Sequence, residues 1–267
     1  HLLADKLATK TTSLSGSSSN RITNVKLAAE KINGVILQPG QTFSYNDVVG
    51  QRTKANGFKE AGAYSNGQVV QEVGGGICQV SSTLYYCAMV SNLKINTRTC
   101  HYFPVAYIEP GMDAAVSWGG PDFIFRNNTN YPIKIVTSYY NNNLTVKIYG
   151  TNVDGTYVRM VSKTLSSTDW KTVYQETDEL AGGVQRVEQY PYTGYYVKTW
   201  RNVYSANGTL LSSTFEAVSD YKSRDKIVLV GKAAPAPDPT PEPNPDPAPE
   251  PTPDPAPTPD PGEAAAG

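Results

Sequence analysis

The chain has 267 residues, with 24 Asp and Glu against 23 Lys and Arg. Seven of those acids and none of the bases follow Lys232, so residues 1–232 carry a formal +6 and the remainder −7. A body of that size holds one large domain or two modest ones. No apolar run in it approaches the roughly 20 residues that span a bilayer, and its scattered positive charge suits an anionic surface polymer better than nucleic acid.

Residues 1–19 read as a linker left from an upstream segment, or as a strand entering the first domain, with a Ser/Thr/Gly-rich stretch over 11–19. The chain opens on a histidine, which fits removal of a leader or anchor. Asn20 is a suitable N-cap for a helix over 21–33, with Ile22, Val25, Ala29 and Ile32 on one face and Gly34 ending it. A turn at Pro39-Gly40 leads to a short strand over 43–45, and Asn66-Gly67 joins 63–65 to 68–73 as a hairpin. Three glycines, Gly74 to Gly76, then open a second helix over 78–92, mostly buried, with Ile77, Val80, Leu84, Cys87 and Ser91 on one stripe.

Beyond Ile95 the pattern turns to short β runs over 97–108, 114–118, 123–126, 133–139 and 144–149, and the composition shifts again at 150–155. Residues 156–232 are almost wholly β, without His or Cys. From Pro235 to Pro261 every second residue is proline, which enforces an extended, solvated spacer. These readings predict an α+β protein. A catalytic domain over 20–155 sets a cysteine-bearing helix against a mostly antiparallel sheet. A small all-β domain over 156–232, able to fold alone, and a disordered Pro-rich acidic tail over 233–267 follow it. The chemistry is expected to lie wholly within 20–155.

Apart from His1, His101 is the sole histidine, so imidazole chemistry has a single candidate. Cys78 follows three glycines and opens a helix, where free N–H groups and the helix dipole lower a thiol's pKa and can hold an oxyanion. A thiolate there, with a histidine on a following strand, is the arrangement of papain-like hydrolases and acyltransferases. A buried, unreactive cysteine beside a glycine turn fits the same residues. Cys87 reads as core, and nine residues of helix put it too far from Cys78 for a disulfide. Cys100 points to the face opposite His101, and a zinc site from Cys78, Cys100 and His101 lacks any C-x-x-C pair. No metal or cofactor is expected.

If the turn at Pro110-Gly111 closes a regular hairpin, paired positions sum to about 221, which sets Asp122 near His101 and leaves Asp113 at the turn end. Asp122 is therefore the expected third member, although both aspartates also suit turn caps. Arg52 can clasp an anionic substrate group with two hydrogen bonds, or stand solvated on the surface. With Gly75, Gly76 and Gln79 it makes up the expected substrate-binding set.

At this point the residues become recognisable. Asn33-Gly34, Pro39-Gly40, Phe43-Ser44-Tyr45-Asn46, Gly50-Gln51-Arg52-Thr53 and Gly57-Phe58 resemble the opening of the VanW family. The run from Gly74 through Ile77-Cys78-Gln79-Val80-Ser81-Ser82-Thr83-Leu84-Tyr85 resembles its most specific motif. His101 with Val105 and Tyr107, Asp113-Ala114, and Phe125-Arg126-Asn127-Asn128-Thr129 complete the likeness. Residues 156–232, with Tyr190-Pro191-Tyr192-Thr193-Gly194 and Val230-Gly231, resemble a G5 domain.

The resemblance implies an extracellular protein of Gram-positive bacteria, in the wall or tethered to the outer face of the membrane by an N-terminal anchor that these residues lack. It implies a peptidoglycan L,D-transpeptidase in which Cys78 is the nucleophile and His101 the base, forming 3-3 cross-links between stem peptides through a thioester. G5 domains imply contact with glycan strands, or a spacer. A cysteine-dependent wall peptidase and a non-catalytic wall-binding protein are the alternatives.

Overall fold

The computed structural model describes residues 2–65 and 68–232, which form a mostly β molecule with three helices. The expected turn at Asn66-Gly67 and the tail over 233–267 lie outside the described residues. In the first half, strand β1 (Asp5–Ser13) precedes helix α1 (Ser19–Ile32), then come β2 (Ile36–Leu37), β3 (Thr42–Ser44) and α2 (Tyr45–Val49). The hairpin strands β4 (Glu60–Ser65) and β5 (Gln68–Val73) lead into α3 (Cys78–Val90). Strands β6 (Lys94–Thr97), β7 (Ile124–Arg126), β8 (Ile133–Tyr140) and β9 (Asn143–Gly150) complete it.

The main sheet has the order β1-β9-β8-β2, antiparallel throughout. Alternation along β9 turns Leu144, Val146 and Ile148 onto one face, where they are fully buried together with Ile133 and Ile135 of β8. Helix α3 lies over β1 and β9, and α1 over β8. Val80, Leu84, Cys87, Ala88 and Met89 of α3 have no exposed surface. Burial of α3 on nearly all sides agrees with its sequence, which lacks a polar stripe; each such large side chain contributes about 1.5–3 kcal/mol of transfer free energy. Phe43 of β3, Phe125 of β7 and Phe123 stack at 5.0 and 5.4 Å, and Tyr85 of α3 meets Phe123 edge-on, locking the small sheet β3-β7-β6 to the helix.

Several expectations need correction here. Of the two readings of the N-terminal stretch, the strand holds and the linker does not: β1 is an edge strand of the main sheet, with Ala8, Thr12 and the following Leu14 buried. The cap of α1 is Ser18, whose hydroxyl accepts from Arg21 N–H at 3.2 Å, whereas the Asn20 amide reaches across to Glu60 O. The expected strands over 97–108 and 114–118 are absent, because β6 ends at Thr97 and residues 98–123 run as an irregular double strap.

The second half pairs β10 (Tyr157–Thr168), β13 (Gly194–Tyr204) and β14 (Leu210–Tyr221) into one antiparallel sheet. A second sheet sets β15 (Lys226–Gly231) between β11 (Thr172–Thr177), which it meets in parallel, and β12 (Gln185–Gln189). Its own interior is thin: Val158, Val197, Tyr221 and Val228 are the buried apolar side chains described there. Much of its firm packing is against the first half. Arg201 of β13, paired with Glu216, donates to Leu93 O at 2.7 Å just past the C-terminus of α3. Gly111 packs so closely that a Cβ would lie 2.5 Å from Thr199 Cγ2, and Ser162 Oγ donates to Pro110 O. The turn expected to close a hairpin is instead a docking point for the second half.

Candidate active site

The glycine run is dictated by space and backbone. Gly74 and Gly76 sit at φ +90 and +104, values that suit glycine alone, and a Cβ on Gly75 would stand 2.3 Å from the carbonyl oxygen of Ala61. Gly75→Ala is therefore expected to cost about 3 kcal/mol, the upper range for overpacking against a rigid backbone; a loss of unfolding free energy in urea of under a third of that would show that β4 yields. This close approach seats the glycine run that precedes α3 on β4. Its cap residue, Ile77, offers no side-chain acceptor to the first turn.

Cys78 opens α3 and is half-buried. Its Sγ lies 3.3 Å from Val116 O and 3.5 Å from Val116 N, so this one peptide segment can accept from the thiol or donate to the thiolate. Ser81 and Ser82 hold that segment to the helix: Ser81 Oγ donates to Ala114 O at 2.7 Å, and Ser82 Oγ accepts from Ala114 N–H at 3.0 Å. These two serines of the motif place the strap that carries the site.

His101, 8% exposed, bonds Asp113 Oδ2 through Nδ1 at 2.6 Å, which leaves Nε2 clear of the carboxylate, and its ring is near enough to Cys78 for each group to shift the other's titration. Asp113 has no exposed surface and is surrounded by donors. Oδ2 also accepts from the His101 backbone N–H at 2.7 Å, and Oδ1 accepts from Arg98 Nη2 at 3.0 Å and from the Tyr221 hydroxyl. Burial alone would raise its pKa, but the bond and charge of His101, then Arg98 and Tyr221, pull it down to about 2. Burial opposes the imidazolium too, yet Asp113 and then Cys78 raise the histidine to about 9. Cys78 follows the same logic: desolvation works against its thiolate, and the hydrogen bond and charge of His101, with Val116 and Arg52, bring its pKa below the ordinary thiol value. Thiolate and imidazolium stabilise each other.

The structure brings Cys78 and His101 together as expected and replaces Asp122 by Asp113. Asp122 lies elsewhere: it accepts from Ser44 Oγ at 2.6 Å and from the backbone N–H of Asn46 at 2.9 Å, fixing the start of α2. The hairpin register holds only at its base, where Ile95 faces Phe125. A turn over 117–121, closed by Ser117 N–H to Pro121 O at 2.9 Å, then takes residues out of register. Beyond it Ala115 N–H bonds Thr99 O, which sets Asp113 against His101.

Arg52 stands on the Cys78 side of the site, where its charge favours the thiolate. Nη2 donates to Asn46 Oδ1 at 2.7 Å and the guanidinium lies 5.6 Å from the Tyr45 ring centre, while Nε and Nη1 are buried without a partner among the described residues. Gln79 is not free to bind substrate. It is 1% exposed, accepts from Arg21 Nη2, and donates to Thr12 Oγ1 and Ser13 O, so it ties α3 to α1 and β1. Gly75 is likewise buried in packing, and Gly76, half-buried, packs against the Arg21 side chain. Tyr107, which the sequence offered only as part of the family likeness and not as a site residue, has its hydroxyl 3.4 Å from Ser82 Oγ and feels the charge of Cys78. Cys87 is sealed in the core, its pKa pushed up by burial. No helix among the described residues is long and apolar enough to cross a membrane.

Residues 20–149 match the family model described as VanW like protein, and residues 161–233 match that of the G5 domain. The chain is a VanW-like domain followed by a G5 domain. It is 39% identical over 163 residues to the Bacillus subtilis (strain 168) protein named "Uncharacterized protein YoaR", across 61% of this chain and 54% of that one. It is 34% identical over 121 residues to "Vancomycin B-type resistance protein VanW" of Enterococcus faecalis (strain ATCC 700802 / V583), across 43% of this chain and 44% of that protein. The chain thus spans about half the length of the curated relatives it matches. Among solved structures, an IgA1 protease G5 domain aligns at 21% identity and a TM-score of 0.21, covering 32% of this chain and all of that one. HP0197-G5 aligns at 17% and 0.17, covering 28% and 95%. Cys78, His101, Asp113, Arg98 and Arg52 all fall in the VanW-like domain, whereas Tyr221 falls in the G5 domain.

Proposed function

We propose that this protein is a cysteine acyltransferase of the bacterial cell surface, an L,D-transpeptidase acting on peptidoglycan stem peptides. The observation that carries this reading is the Cys78–His101–Asp113 relay at the start of a buried helix. Cys78 Sγ attacks the carbonyl carbon of the third residue of a tetrapeptide stem. The C–N bond to the terminal D-alanine breaks, and the imidazolium gives its Nε2 proton to the departing amine. The side-chain amine of a neighbouring stem then attacks the thioester, its proton passes to His101, and the C–S bond breaks to return the thiolate. Arg52, with two unpaired donors on the same side as the thiol, suits the carboxylate of the leaving residue. The G5 domain and the resistance protein's name support placement in the wall or on the outer face, with glycan strands as a further partner.

Intact-mass analysis of the protein incubated with a tetrapeptide muropeptide tests the reading. The expected result is an adduct on Cys78 equal to the stem minus D-alanine, followed by dimers joined through two third residues. Trimmed monomers without dimers would make the protein a peptidase. Unchanged muropeptide, or the same products from Cys78→Ala, would leave a wall-binding protein.

A further inference from the structure

The carboxylate that orients His101 is completed from outside the VanW-like domain. Tyr221, 3% exposed at the end of β14, donates its hydroxyl proton to Asp113 Oδ1 and accepts from Gly111 N–H at 2.6 Å. Two residues earlier, Ser219 Oγ accepts from Arg98 Nη1 at 2.8 Å, while the same guanidinium holds Asp113 through Nη2 and its carbonyl through Nε. One residue later, Lys222 N–H donates to Tyr102 O at 2.8 Å, beside His101. Three positions at one strand end thus grip the three parts of the strap that carry Arg98, His101 and Asp113.

We propose that the G5 domain is a working part of the catalytic site, with Tyr221 as a positioning residue that shares the negative charge of Asp113 and fixes its orientation toward His101. The inference rests on the acyl-transfer reading above. A hydrogen bond to the far oxygen of a carboxylate draws charge away from the near one. Without it, Asp113 holds the imidazolium proton more tightly and makes His101 a poorer acid toward a departing amine. The charged and titratable groups facing this pair are Arg98 and Tyr221 on Asp113 and Cys78 on His101, with Tyr85 and Tyr107 further off. Of these, Tyr221 alone comes from the second domain. A module that meets the wall and the carboxylate that tunes the base therefore share a side chain, so strain on β14 reaches the relay directly.

The test uses Tyr221→Phe in the full chain, which keeps the ring packing and removes only the hydroxyl, with Tyr174→Phe on an exposed face as control. Turnover of tetrapeptide stems should fall about tenfold in kcat with KM within twofold. The alkaline limb of the pH profile should move up, and so should the upper inflection of Cys78 alkylation by iodoacetamide. Ser219→Ala should move both in the same direction by less, through Arg98. Alkylation needs no stem peptide, so a shifted profile in a protein that never turns over a stem would sustain the role of Tyr221 and reject the transferase reading. A native alkylation profile in Tyr221→Phe would overturn the inference, whether or not turnover fell, since a loosened fold alone then explains the loss.

Discussion

Asp113→Asn is expected to lower turnover by about three orders of magnitude, because it leaves His101 in the wrong tautomer. The carboxylate accepts four hydrogen bonds, from the ring and backbone of His101, from Arg98 and from Tyr221. An asparagine can present oxygen to only one side of that ring of donors. With its oxygen toward Arg98 and Tyr221, its NH2 faces Nδ1, which must then accept, and the ring proton moves to Nε2. His101 can no longer take a proton from the thiol.

Asp113→Ala adds a structural penalty, since the Arg98 side chain, 4% exposed, is left as a buried unpaired cation at about 3–5 kcal/mol. The pH dependence of stability gives a third readout. The folded pKa of Asp113, about 2, lies below its ordinary 3.8, so its contribution is present above the ordinary value and is lost as pH falls through the folded one. Wild-type stability should decline over that acid window, and the Asn variant should show a shallower decline. A variant that keeps a tenth of wild-type turnover would remove Asp113 from the relay.

How much of this was legible in the sequence differs from residue to residue. Cys78 could be found because its signal is local: three glycines followed at once by a helical stripe constrain both the backbone and the thiol's surroundings. His101 followed from scarcity. The third member was missed because hairpin arithmetic assumes that pairing continues, whereas the turn over 117–121, marked in the sequence by Gly119-Gly120-Pro121, withdraws residues from one arm. That loop also kept 97–108 from forming the strand its β-branched and aromatic residues suggested.

Gln79 misled for a different reason. A polar residue next to a nucleophile invites a substrate role, and only the packing shows that Arg21, Thr12 and Ser13 already use its amide. Residues 5–13 could be read locally as linker or as strand, and only their pairing with β9 decides for the strand. Tyr221 is 108 residues from its partner and one tyrosine among 18, so nothing in sequence singles it out.

Iodoacetamide should modify Cys78 ahead of Cys87 and Cys100 at neutral pH, and His101→Ala should slow that reaction about tenfold at pH 6. In the wild type the thiolate is held by the imidazolium, so its alkylation should stay on a plateau well below the ordinary thiol range. The rate should change again only near pH 9, where His101 loses its proton. Removing the histidine deletes the main favourable influence on Cys78 and leaves desolvation, which raises the thiol pKa. A thiol with a pKa near 8.5 is only about 0.3% ionised at pH 6, though its thiolate is the stronger nucleophile, which returns part of the loss. As the pH rises to 9 a growing share of that thiol ionises unaided, so the deficit should narrow. Turnover should respond differently, because it needs imidazolium as acid as well as thiolate, and should fall above about pH 9 in the wild type. Cys87 should resist at every pH, being fully buried with a raised pKa. Equal labelling of all three cysteines, or a deficit in His101→Ala that is the same at both pH values, would mean that Cys78 and His101 do not share a proton.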